Sequence, residues 1–370
     1  MAVESREATK KVKPYIPGKP IEELKRELGI TEEILKLASN ENPIGASPKA
    51  LRALRERISE THLYPDDVCY YLKRDISKHL DVAPENLIMG NGSVELILIA
   101  SMVYLSPEDE FIAGEQSFAL GKISAVLMGA KFTGILEDNY THNLDAIRKA
   151  VNEKTKIIYI DNPCNPLGTK ISRKDIEDFV YSIPDGILII LDEAYYEFVK
   201  GEDFPDSIKF VKENKNVFVL RTFSKIYGLA ALRVGYGIAP PEIISTIRKA
   251  RLPFNVNRLG QIAASAALDD EEHIKKTLEV NDEGKRYLSE AFEKIGVFYI
   301  PTSTNFITFK TTMDGKILFK ELQKRGIIAR PLANYGMPEF IRVTIGTKEQ
   351  NQRFIRTLNE ILSKQGLKEN

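Results

Sequence analysis

The sequence predicts an α/β protein, a mainly parallel sheet flanked by helices, with a smaller α+β domain beside it. Three observations carry this. Short apolar runs of buried-strand length recur between Asn86 and Leu220. Helical segments separate several of them, the pattern of strands linked by crossovers and covered on both faces. After about Ala250 the character changes to long charged amphipathic helices followed by strand-like pieces. At 370 residues the chain is long enough for two domains. The reading places a large domain at 41–270 and a small one at 1–40 plus 271–370.

Taken in order, the first fifteen residues are polar and read as a loose arm. Pro17-Gly18-Lys19-Pro20 then breaks the chain before a helix from Ile21 to Leu28. LASNENPIGASPKA, Leu37 to Ala50, is irregular and polar, and a helix over Leu51 to Ile58 follows it. A turn at Tyr64-Pro65-Asp66-Asp67 leads into a helix from Cys69 to His79. Asn86 to Met89 reads as a strand, Gly90-Asn91-Gly92-Ser93 as a junction, and Val94 to Tyr104 as a helix with Glu95 in its first turn. Further strands are expected at Glu110 to Ala113, Lys156 to Ile160, Ile187 to Leu191 and Val217 to Leu220. Helices through Gln261 to Lys294 come next, then strand-like pieces at Asn305 to Lys310, Ile327 to Arg330 and Phe340 to Ile345. A last helix begins at Lys348.

Composition narrows the function. With 52 basic and 52 acidic residues, nothing points to nucleic acid or an anionic membrane. Cys69 and Cys164 are too few for a disulfide framework, and MAVESREATKKVKPY holds no signal-peptide core, so the chain reads as cytoplasmic. The longest apolar stretch, around Leu96 to Leu105, falls short of the roughly 18 to 20 residues of a membrane helix. Four scattered histidines, 62, 79, 142 and 273, without CxxC or HExxH, argue against a catalytic metal.

In a parallel sheet, ligands gather beyond the carboxyl ends of the strands, where four motifs fall. After Val217–Leu220 come Thr222, Ser224 and Lys225, then the small residues Gly228, Ala230 and Ala231, then Arg233, eight positions past the lysine. An amine, two hydroxyls and a guanidinium suit a phosphorylated aldehyde, although most lysines are simply solvated. Asp192 closes an apolar strand, with Tyr195 three residues on. A buried acid there would pair with a protonated pyridine nitrogen, or it would cap a helix. In Asp161-Asn162-Pro163-Cys164-Asn165-Pro166-Leu167-Gly168, Asn165 could donate to a cofactor oxygen, or the stretch is a surface turn. Gly90-Asn91-Gly92-Ser93 is neither GxGxxG nor a P-loop, but amides at a helix start attract phosphate. Arg330 and Arg342 each adjoin a strand-like segment, and guanidinium forks suit carboxylate and phosphate alike.

Together, LASNENPIGASPKA, YPDD, MGNGSVELI, NPCNPLGT, LDEAYYEF, RTFSKIYGLAALRVGYGIA and IRVTIGT resemble the fold type I aminotransferases that use pyridoxal 5′-phosphate, and within them the histidinol-phosphate aminotransferase family. The likeness spans nearly the whole chain. It implies Lys225 as the lysine that links to the cofactor aldehyde, Asp192 as partner of the ring nitrogen, and Tyr195 with Asn165 at the ring oxygen. It implies phosphate held by Ser93 and Val94 amides, Thr222, Ser224 and Arg233, with Phe118 stacked on the ring. Tyr64 would reach the cofactor phosphate of a neighbouring subunit, making the active unit a homodimer. Tyr15, Asn42, Arg330 and Arg342 would bind substrate. The implied reaction is transamination of histidinol phosphate with 2-oxoglutarate. An aromatic amino acid aminotransferase or a threonine-phosphate decarboxylase is the alternative on the same scaffold. Cys164, Leu167, Val94 and Ala231 depart from the family's usual residues.

Overall fold

The computed structural model describes residues 3–15, 18–29 and 33–366, and folds as two compact units. The first comprises Met1–Pro14, Ala46–Asn165 and Lys170–Ile274; the second comprises Tyr15–Gly45, Pro166–Thr169 and Lys275–Asn370. Where the sequence reading divided the chain at 40/41 and 270/271, the units divide at 14/15, 45/46 and 274/275. Residues 3–14 group with the first unit because Arg6 Nη2 donates to Leu127 O at 3.0 Å and the arm carries a short helix, Glu7–Lys10. Pro166–Thr169 groups with the second because Thr308 Oγ1 donates to Pro166 O at 2.5 Å and Ser303 N to Gly168 O at 2.7 Å. The expected break at Pro17 lies outside the described residues.

The first unit is built on a seven-stranded sheet. In spatial order its strands are Leu87–Gly90, Gly235–Ile238, Val217–Thr222, Leu188–Asp192, Thr155–Asp161, Glu110–Gly114 and Lys131–Ile135. Six run the same way and Gly235–Ile238 runs against both neighbours. The central strands read as continuous apolar runs because both faces are covered: Ile157, Ile190, Phe218 and Leu220 are fully buried. Helix Ser93–Tyr104 packs Leu96, Ile97 and Ala100 into the same core as Phe111, Tyr159 and Ile244.

Two strands of this sheet were absent from the sequence reading. Lys131–Ile135 is an edge strand of mixed exposure with no long apolar run. Gly235–Ile238 carries two glycines, and both are required by close approach: a Cβ at 237 would strike the Phe218 ring, and one at 235 the backbone of Gly92 and Ser93. Helices start where caps permit: Ser47 accepts from Ala50 N with Pro48 at the first turn, so that helix is Pro48–Arg57 rather than Leu51 to Ile58.

The second unit has a four-stranded antiparallel sheet in the order Arg330–Pro331, Phe340–Thr344, Phe306–Lys310, Phe298–Ile300. Leu35–Lys36 pairs in parallel with Ile327–Ile328. The single strand expected over Ile327 to Arg330 is therefore two short strands in two sheets. Its core joins Phe292, Ile307, Phe309, Ile341, Val343, Phe354 and Leu358, contributed by sheet and helices.

Candidate active site

Five neighbouring segments of the first unit carry the expected groups, at or just beyond strand ends. Asp192 is the last residue of Leu188–Asp192 and is buried. Its Oδ2 accepts from Tyr159 OH at 2.8 Å and its Oδ1 from Ala194 N at 3.1 Å. It caps no helix, since the short turn Tyr196–Phe198 begins after Tyr195. Burial pushes the carboxyl up to about 7, against the opposing hydrogen bond from Tyr159. Beside it, Glu193 Oε2 pairs with buried Arg221 at 2.8 Å, tying this strand end to that of Val217–Thr222.

Lys225 stands three residues past the end of Val217–Thr222, in a turn rather than at the strand end itself. It is half-buried, with its ammonium 5.6 Å from the centre of the buried Tyr195 ring. The turn is internally braced. Thr222 Oγ1 accepts from Ser224 N at 3.1 Å and donates to Ser224 Oγ or Val234 O, at 3.1 and 3.3 Å.

Arg233 adopts the left-handed region, φ 55°, and its Nη1 donates to Ser224 Oγ at 3.3 Å and Ala230 O at 3.0 Å. Its guanidinium lies against Gly92, so close that a Cβ there would collide with it, and Gly92 needs its own positive φ of 77°. Helix Ser93–Tyr104 begins at the next residue, aiming the amides of Ser93 and Val94 out of its first turn. Two hydroxyls, a guanidinium and a helix start thus form a cradle whose floor is kept open by Gly92 and Gly235, a shape and charge suited to a phosphate.

Asn165 and Phe118 lie on separate loops joined by one carboxylate: Asp161 Oδ2 accepts from Asn165 N at 2.8 Å and from Phe118 N at 3.2 Å. Asp161 is the direct cross-strand neighbour of Asp192. Tyr64 stands apart from this group, 79% exposed and stacked on Phe254 with centroids 4.7 Å apart.

The remaining expected residues belong to the second unit. Arg330 and Arg342 are buried; the Arg330 guanidinium is 5.5 Å from the Tyr15 ring centre, and Arg342 Nη2 donates to Ala38 O at 3.0 Å. Asn42 Nδ2 donates to Thr277 Oγ1 at 3.1 Å. Sequence reasoning missed Tyr159 and the bracing role of Asp161. The signal available was that two adjacent apolar strands both end in aspartate.

Residues 32–358 match the family "Aminotransferase class I and II". The chain belongs to this family. It is 46% identical to the histidinol-phosphate aminotransferase of Moorella thermoacetica over 97% of this chain and 93% of that protein. It is 45% identical to histidinol-phosphate aminotransferase 2 of Carboxydothermus hydrogenoformans over 96% and 99%. This aminotransferase therefore sits within the histidinol-phosphate aminotransferase group. In fold it resembles the enzyme of that name from Sinorhizobium meliloti, solved in complex with pyridoxal-5′-phosphate, with a TM-score of 0.90 at 22% identity over 98% and 99% of the two chains. The fold is that of the fold type I aminotransferases. No helix among the described residues is long and apolar enough to cross a membrane.

Proposed function

We propose that this aminotransferase interconverts histidinol phosphate and imidazole acetol phosphate, with 2-oxoglutarate and glutamate as the other pair, using pyridoxal 5′-phosphate in the cytoplasm. The observation that carries the reading is that a half-buried amine, Lys225, and a buried acid, Asp192, stand at or just past the ends of two adjacent strands, with a phosphate-shaped cradle built on the same turn as the lysine. The cofactor, when bound, supplies an electron sink next to the reacting carbon.

The rest is the work of the chain's own residues. Thr222, Ser224, Arg233 and the amides of Ser93 and Val94 would hold the phosphate, and Phe118 would cover one ring face. Asp192 would keep the ring nitrogen protonated, while Tyr195 and Asn165 would bond the ring oxygen. Lys225 Nζ would hold the aldehyde at rest. Its free amine would take the proton from the substrate's nitrogen-bearing carbon as general base and give it back as general acid. Tyr15, Asn42, Arg330 and Arg342 would receive the substrate, and an arginine pair tolerates the phosphate of one half-reaction and the carboxylate of the other.

A homodimer is part of the proposal. Ile58, Leu63, Tyr64, Val68, Tyr70, Tyr71, Leu252 and Phe254 are large apolar or aromatic residues left exposed on the first unit, an unusual concentration for a lone chain. Steady-state kcat/KM for histidinol phosphate against phenylalanine, each with 2-oxoglutarate, tests the substrate. A preference for phenylalanine by two orders of magnitude would overturn it.

A further inference from the structure

One buried cluster in the first unit takes no part in the proton transfers above. His142 lies between two carboxylates: its Nε2 is 3.0 Å from Asp161 Oδ1, and its Nδ1 is 3.6 Å from Glu137 Oε1. The three side chains are 1%, 4% and 2% exposed. Cys164 closes the fourth side, its thiol 4.0 Å from Gln116 O and pushed by burial up to about 12, so it is neutral. Burial opposes charge on the imidazole, while the Asp161 and Glu137 carboxylates on its two sides favour it and draw His142 above its ordinary value. The cluster is fitted against Gly114, where a Cβ would collide with both Glu137 Oε1 and His142 Nδ1.

What this cluster grips is the informative part. Asp161 turns Oδ1 to His142 and Oδ2 to the amides of Phe118 and Asn165. Glu137 Oε1 accepts from Gln116 N at 3.0 Å, holding the Phe118 loop a second time. Two loops from different strands are thereby fixed to one ion cluster. A side chain is only as well placed as the groups that orient its backbone, and a carboxylate with three donors has little freedom to rotate.

We propose that His142 is a positioning residue for the cofactor ring: with Glu137 it locks the Asp161 carboxylate, and through Asp161 it sets the spacing of Phe118 and Asn165. This rests on the cofactor reading above. A protonated His142 would also place a positive charge next to Asp161, which adjoins Asp192 across the sheet.

The test uses the purified holoenzyme, reading the pH midpoint of its visible absorption band together with kcat and KM. Lys225→Ala is the control: if wild type with pyridoxal phosphate shows no band that this variant abolishes, the cofactor reading fails and the proposal with it. Given that band, His142→Leu is expected to raise the midpoint by about one unit, since a nearby positive charge is lost and Asn165 is displaced from the ring oxygen. It is expected to lower kcat roughly tenfold to a hundredfold, with KM changed much less. His142→Gln keeps an N–H donor for Asp161 and should recover most of the lost kcat. A variant His142→Leu that melts earlier but keeps the wild-type midpoint and kcat would make the cluster structural only and overturn the proposal; Gln behaving like Leu in kcat would overturn the positioning role. If His142→Leu does not fold, Glu137→Gln is expected to lower kcat through the loosened loop, and a wild-type kcat and midpoint in that variant overturn the proposal.

Discussion

Arg330 and Arg342 are direct cross-strand partners in the antiparallel pair of the second unit, and both are almost fully buried, at 6% and 7% exposure. Like charges placed opposite each other in a ladder are destabilising, and buried guanidiniums are uncommon. A polar backbone contact at Ala38 and the rings of Tyr15 and Phe306 offset part of that cost. An arriving anion would remove the rest. Arg342→Leu should therefore raise KM for histidinol phosphate roughly tenfold or more, while the protein melts no earlier than wild type in phosphate-free buffer. Inorganic phosphate should raise the melting temperature of wild type and not of the Arg330→Leu/Arg342→Leu double variant. Equal protection of both by phosphate would refute the assignment.

Lys225→Ala should abolish turnover and the visible absorption band of the protein loaded with pyridoxal phosphate. Its fold should be unaffected, because the turn around it is held by Thr222, Ser224 and backbone groups. Kinetics and an absorption spectrum decide the matter. Near-normal turnover would sink the assignment.

Asp192 gives a pH-dependent signature in the cofactor-free protein. Its folded value of about 7 lies above the ordinary 3.8, so between these limits the folded state holds a proton that the unfolded state has released. Stability falls as pH rises from about 4 to about 7 and is flat above, a loss of up to about 4 kcal/mol. Asp192→Asn should erase that slope and, above pH 7, unfold at higher denaturant than wild type. The same variant should lose roughly a hundredfold or more in kcat, since the neutral amide cannot hold a pyridinium. Denaturant titrations of both proteins at pH 5 and pH 8 measure the first effect, and a slope unchanged in the variant would count against it.

Gly92→Ala and Gly235→Ala probe the cradle. The first puts a methyl into the Arg233 guanidinium at a positive φ; the second drives one into the Ser93 amide. Each should cost about 1–3 kcal/mol of stability. Each should also weaken cofactor binding by more than tenfold, read by fluorescence titration of the cofactor-free protein. Wild-type affinity in either variant would show that the phosphate is held elsewhere.

Much of this was legible in the sequence, for physical reasons that differ by element. The central strands at 155–161, 188–192 and 217–222 announce themselves because burial on both faces demands unbroken apolar runs. Lys131–Ile135 and Gly235–Ile238 do not, one lying at an edge and the other having exchanged side chains for close backbone approach. Lys225, Ser224 and Asp192 stood out as candidate chemistry because each lies at, or within three residues of, a strand end, whereas Arg233 stood out only by its spacing from the lysine. The tie between His142 and Asp161 was not, since nothing local to either residue reveals a bond spanning 19 positions. Short pieces such as Arg330–Pro331 owe their pairing to tertiary partners and leave almost no trace in periodicity.

The burial of Asp192 has a consequence for how the protein is assembled. With its titration centred near neutrality, the carboxyl can take up a proton while the pocket awaits its guest, so a newly made chain need not entomb a bare anion. A cationic ring arriving there would expel that proton to the medium. Acid should accordingly weaken cofactor uptake, and loading should give a binding heat that varies with the ionisation enthalpy of the buffer.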